Sequence, residues 1–137
     1  MELVYSYYVL DIVHKGHLKM MENSKAMAGE DGKLIVGILT DEAVMEKKSR
    51  PTLSFNERYD LASAIKYVDL VVAQETYSPI QNIKMIKPDI LMESSSHAEE
   101  DIVEAQKVME NLGGKVVIIP YFPTICSTII KTRVKNN

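Results

Sequence analysis

The residues best able to do chemistry stand together near the start of the chain: His14-Lys15-Gly16-His17. Imidazoles three positions apart fall on one face of a helical turn, and the glycine between them lets a ligand approach the backbone. The run before them (Leu3, Val4, Tyr5, Tyr7, Tyr8, Val9) reads as a strand. Leu18, Met21, Ser24 and Met27–Ala28, at steps of three and four, read as the buried side of a following helix. The histidines therefore sit where a strand hands over to a helix N-terminus. Unpaired N–H groups and a positive partial charge make that end suited to a phosphate. The chemistry on offer is a grip on a phosphoryl group as charge builds on it; the plain alternative is two structural histidines at a helix start.

The elements that must position this pair alternate. After the turn Gly29-Glu30-Asp31-Gly32, Lys33 to Leu39 is a mostly apolar strand, as a strand covered on both faces should be. Asp41 is an expected N-cap for a short helix through Met45, followed by a polar loop over 46–52 with three cations, Lys47, Lys48 and Arg50. Ser54 and Glu57 form a capping box that starts a helix at Phe55, with Phe55, Tyr59, Ala62 and Ile65 as its buried stripe. Val68 to Ala73 is a strand. Ser78-Pro79 opens a helix with proline at its first position, and Lys87-Pro88-Asp89 closes it before a strand at Ile90-Leu91-Met92. A helix over 98–112 buries Ile102, Ala105, Met109 and Leu112, Gly113-Gly114 stops it, and Val116 to Ile119 is a fifth strand. A last helix is expected from about Ser127.

This order predicts an α/β fold over 1–137 as one domain: a Rossmann-like open five-stranded parallel sheet with helices on both faces. Such sheets bind ligands beyond the carboxyl ends of their strands, where Asp11, His14, Thr40, Ser94 to His97 and Ile125 to Thr128 fall. The chain has no G-x-G-x-x-G and no Walker A pattern, so the histidine tetrad is left as the phosphate site.

Composition narrows the classes. A chain of 137 residues suffices for one core, and a net charge of −3 with no basic run argues against nucleic acid as a partner. No apolar run reaches membrane-spanning length. The single cysteine, Cys126, cannot form an internal disulfide, which fits a reducing cytoplasm; a nucleophilic role for it would need a neighbouring base. No metal-ligand set is evident.

Asp11-Ile12-Val13-His14-Lys15-Gly16-His17 resembles the D-L-L-H-x-G-H signature of the nucleotidyltransferase superfamily that includes the glycerol-3-phosphate, choline-phosphate and phosphonoalkyl cytidylyltransferases and the pantetheine-phosphate adenylyltransferases. Val36-Gly37-Ile38-Leu39-Thr40-Asp41-Glu42 is similar to its second strand with T-D-E. Ser54-Phe55-Asn56-Glu57-Arg58 resembles the helix start bearing the family arginine, and Ile125-Cys126-Ser127-Thr128 stands where the family has I-S-T-T. Three places depart from the pattern. Tyr8-Val9-Leu10-Asp11 replaces G-T-F-D, Ser94-Ser95-Ser96-His97 replaces G-D-D-W, and Tyr121 and Thr124 replace an arginine and a glycine before the last helix.

The resemblance implies catalytic roles for His14, His17 and Lys47. It implies nucleotide or phosphate contacts from Leu10, Asp11, Gly16, Arg58, Ser127 and Thr128, with substrate or base contacts from Val9, Ser94, Ser95, Ser96, His97, Ile125 and Cys126. The implied reaction moves a nucleoside monophosphate, CMP from CTP first, to a small phosphate- or phosphonate-bearing acceptor with release of pyrophosphate. The alternatives are an ATP-using adenylyltransferase acting on a cofactor precursor and a non-catalytic nucleotide-binding module. Mg²⁺ is expected with the triphosphate, and a homodimer is implied by relatives.

Overall fold

A computed structural model describes residues 1–120. The expectations for Tyr121, Thr124, Ile125, Cys126, Ser127, Thr128 and the last helix lie outside the described residues. Ten elements follow one another: β1 (Leu3–Tyr8), α1 (Lys15–Ala28), β2 (Lys33–Leu39), α2 (Asp41–Met45), α3 (Phe55–Ser63), β3 (Leu70–Gln74), α4 (Ile80–Ile86), β4 (Ile90–Ser94), α5 (Glu99–Asn111) and β5 (Lys115–Ile119). The five strands form one parallel sheet in the order β3-β2-β1-β4-β5. The chain steps outward from β1 through β2 to β3, then crosses back to β4. That reversal opens a crevice beyond the ends of β1 and β4, the place where such sheets take ligands.

Helices cover both faces. Val4, Tyr8, Val36, Ile38 and Met92 pack with Met21 of α1 and Ala62 of α3 on one side, and Tyr5, Ile35 and Leu91 pack with Ile83 of α4 and Ala105 and Met109 of α5 on the other. In α1 the buried positions are Met21, Ser24 and Ala28, while Leu18 and Met27 are more than a third exposed. Two helix starts differ from the sequence expectation. Thr40, not Asp41, caps α2, because its hydroxyl accepts from the Ala43 N–H at 3.1 Å, which releases Asp41 for another partner. Pro79 is the cap of α4 rather than its first residue.

A buried polar chain ties the β3–α4 connection to the sheet. Tyr5 donates its hydroxyl to Gln74 Oε1 at 2.6 Å and accepts from Asn82 Nδ2 at 2.9 Å, while Gln74 Nε2 donates to the carbonyls of Thr76 and Tyr77. Gly37 makes room for it, since a Cβ there would overlap the Tyr5 hydroxyl. Among the described residues no helix is long and apolar enough to cross a membrane.

Candidate active site

A cavity of about 670 Å³ lies beyond the carboxyl ends of β1 and β4, lined by the turn after β1, the start of α1, part of the 46–52 loop, Tyr77 and the segment after β4. Leu10 makes the turn. Its backbone is left-handed at φ 59°, a conformation that costs a leucine about 1–3 kcal/mol, offset by a side chain only 1% exposed in the core.

His14 and His17 then close the start of α1 on each other. His14 is the cap, in extended conformation, and its Nδ1 accepts from the Gly16 N–H at 3.0 Å; Nδ1 of His17 accepts from the His14 N–H at 3.3 Å. This is a capping box built from two imidazoles in place of Ser and Glu. Both readings of the pair are thus combined, because the structural bonds define the chemical ones. An Nδ1 that accepts a backbone proton carries none, so each neutral ring bears its hydrogen on Nε2. The rings stack at 3.9 Å with 28° between their planes, and both line the cavity with Gly16.

Burial, and then the neighbouring His14, push His17 down to about 3; burial also lowers His14. Near neutral pH the site therefore presents two uncharged Nε2–H donors. The same depression sets a stability trend. An unfolded His17 takes a proton near 6.5 and the folded one only near 3; between these values the unfolded chain binds more protons, so stability is full above that window and falls as pH drops through it. Thermal melts from pH 7 to 4 should show His17→Gln losing less stability than the wild type.

Asp11, 4% exposed, reaches across to the loop, its two carboxylate oxygens accepting the N–H groups of Thr52 at 3.0 Å and Leu53 at 2.8 Å. It lines the cavity, but these bonds make it a clamp on the loop that carries the cations. Within that loop Lys48 and Arg50 line the cavity with Ser49, whereas Lys47 does not. Lys47 Nζ is 3.5 Å from Asp101 of α5 and 5.1 Å from the centre of the Tyr77 ring.

Arg58 requires a correction. The fork expected on a phosphate is fully buried and turned into the protein. Its Nε donates to the Leu53 carbonyl at 3.2 Å, Nη1 to Val9 at 2.8 Å and Leu39 at 2.7 Å, and Nη2 to Asp41 Oδ1 at 2.7 Å. It ties the ends of β1 and β2 to the start of α2 and α3, and does not line the cavity. A buried guanidinium requires this many acceptors, and Asp41 supplies the charge because Thr40 took over the cap. Arg58 stands one turn before Ala62, on the buried side of α3.

After β4, Ser94, Ser96 and His97 line the cavity, as does Val9 after β1; Ser95 does not, and its N–H bonds the Ile119 carbonyl at 2.9 Å. Sequence reasoning missed Tyr7, Glu93 and Tyr77. Glu93 left a visible trace as an acid directly after the apolar run Ile90-Leu91-Met92, and it is 2% exposed. Among the described residues no group of three or more His, Cys, Asp or Glu is placed to hold a metal ion.

Residues 9–133 match the model of a family described as cytidylyltransferase-like. An FAD synthase of Korarchaeum cryptofilum (strain OPF8) is 33% identical over 126 residues, covering 90% of this chain and 85% of that protein. The bifunctional protein HldE of Gluconobacter oxydans (strain 621H) is 33% identical over 120 residues; the match takes in 86% of this chain but only 24% of that protein. The crystal structure of the lipopolysaccharide core biosynthesis protein from Thermoplasma volcanium GSS1 superposes with a TM-score of 0.74 at 27% identity, over 89% of this chain and 97% of that one.

Proposed function

The chain is a nucleotidyltransferase of the cytidylyltransferase-like family, and we propose that it joins the nucleoside monophosphate of a triphosphate to a small acceptor bearing a phosphate or phosphonate. The observation that carries this is the pair of neutral Nε2–H donors at the cavity wall where β1 gives way to α1. An oxygen of the acceptor's anionic group attacks the α-phosphorus, the α–β bridging bond breaks, and pyrophosphate leaves. Such an oxygen is already a nucleophile near neutral pH, so the protein's part is positioning and charge stabilisation. His14 and His17 donate to α- and β-phosphate oxygens as charge grows there.

Lys48 and Arg50 neutralise the triphosphate from the loop that Asp11 clamps. Lys47 joins them by leaving Asp101; a pair so exposed is worth about 0–1 kcal/mol and is no bar to the move. For the β/γ end the family resemblance offers Ser127 and Thr128, which lie outside the described residues. Mg²⁺ would come with the triphosphate and would offset the charge on its phosphates, and no described residue is assigned to hold it.

We place ATP ahead of CTP. The FAD synthase relative is named for a product in which adenylate is joined to a flavin phosphate through a pyrophosphate bridge, the linkage this reaction makes. Calorimetry with Mg-ATP and Mg-CTP tests the base, and pyrophosphate release over flavin phosphate, phosphorylated alcohols and phosphonates tests the reaction. Preference for ATP and turnover of at least one acceptor are expected. Preference for CTP would reverse the ranking, and tight nucleotide binding with no turnover on any acceptor would favour a binding module.

A further inference from the structure

The cavity holds a third imidazole whose chemistry is opposite to that of the first two. Strand alternation puts Glu93 on the same face of β4 as Leu91, and its carboxylate is almost wholly removed from water. A carboxylate at that depth is costly unless both oxygens are matched. Oε1 accepts from the Tyr7 hydroxyl at 2.7 Å, and Oε2 meets Nδ1 of His97. A carboxylate has no proton to give, so on this ring Nδ1 carries the hydrogen. Tyr7 stays a neutral donor, because burial and then the Glu93 charge push its phenol far above the usual range. Its ring lies 5.6 Å from the imidazole and its oxygen 3.2 Å from Nδ1.

His97 is thus held at Nδ1 and against one face, leaving Nε2 as its unclaimed nitrogen on a side chain 31% exposed. A proton added to His14 or His17 would displace a backbone N–H from Nδ1, whereas one added to His97 Nε2 makes an imidazolium beside its own counter-ion. Ser94 and Ser96 border the same part of the cavity, their hydroxyls 2.8 Å apart.

We propose that Ser94, Ser96 and His97 form a separate subsite for the anionic group of the acceptor, with Glu93 and Tyr7 as positioning residues that let His97 bind it through a charged Nε2–H. This rests on the reading of the protein as transferring a nucleotide to a phosphate or phosphonate. The cavity then has two kinds of anion-binding group: neutral donors at α1 for the triphosphate, and a carboxylate-backed imidazole after β4 for the nucleophile.

The test is ring-nitrogen NMR of the three histidines in the full chain, titrated with inorganic phosphate, in the wild type and in Glu93→Gln. Before phosphate is added, His97 should be protonated at Nδ1, and His14 and His17 at Nε2. Phosphate should shift the His97 resonances, and Glu93→Gln should weaken that response about tenfold, the loss of one charge-assisted bond, while the responses of His14 and His17 stay unchanged. In turnover, His97→Gln should raise the acceptor KM about tenfold and leave the triphosphate KM in place. A response confined to His14 and His17 would overturn the subsite and leave nucleotidyl transfer standing. An equal His97 response in Glu93→Gln would overturn the positioning role. Phosphate binding at His97 in a protein that turns over no acceptor would support the subsite and refute the transfer.

Discussion

Replacing His17 by alanine should lower kcat/KM about a hundredfold, a loss of on the order of 3 kcal/mol of transition-state stabilisation. The size follows from what the ring does. Its Nε2–H is a donor fixed before the reaction begins, since Nδ1 is committed to the His14 N–H, so no reorganisation is needed when negative charge moves onto the phosphates. Alanine removes that donor and also half of the capping box, at about 1 kcal/mol of stability. The two losses are separable. His17→Gln keeps an N–H that can reach outward, so it should recover part of the rate, whereas the stability loss is read from thermal melts alone. Fall of kcat with little change in the triphosphate KM marks a bond made in the transition state. A purified, folded His17→Ala variant with wild-type turnover would exclude the assignment.

Arg58→Met should instead act on the fold. Methionine matches the length of the side chain and has no donors, so the carbonyls of Val9, Leu39 and Leu53 lose a partner and Asp41 loses its buried counter-ion. Breaking a buried ion pair from one side costs about 3–5 kcal/mol, which in a domain of this size lowers Tm by on the order of 10 °C or more. Arg58→Lys should recover little, because one ammonium cannot span acceptors from three segments. Calorimetric unfolding measures this directly. If Arg58→Met kept its Tm and raised the triphosphate KM instead, the guanidinium would be a phosphate ligand after all.

The contrast between these residues shows what could be read from the chain. His14 and His17 were legible because spacing, the glycine between them and the strand-to-helix handover are local properties, and local geometry then set their tautomers. The parallel sheet was legible for the same reason, each strand being an apolar run bounded by helical periods or turns. Arg58 was not, because its role depends on Val9, Leu39 and Asp41, brought to it only by the sheet order, and on Thr40 taking the cap that Asp41 was expected to fill. That Lys48 and Arg50 line the cavity while Lys47 stands beside Asp101 was not legible either, because Asp101 lies on a distant helix that only the fold brings near. Glu93 and Tyr7 stand on neighbouring strands, and nothing within either strand announces that they meet at His97.

Whether two neutral imidazoles hold a nucleotide's phosphates is decided by a crystal structure of the chain with a non-hydrolysable nucleoside triphosphate and Mg²⁺. The expected result is Nε2 of His14 and of His17 within hydrogen-bond distance of phosphate oxygens, with both Nδ1 atoms still on the backbone of α1. Phosphates bound elsewhere in the cavity, with the two rings still stacked and unoccupied, would contradict it.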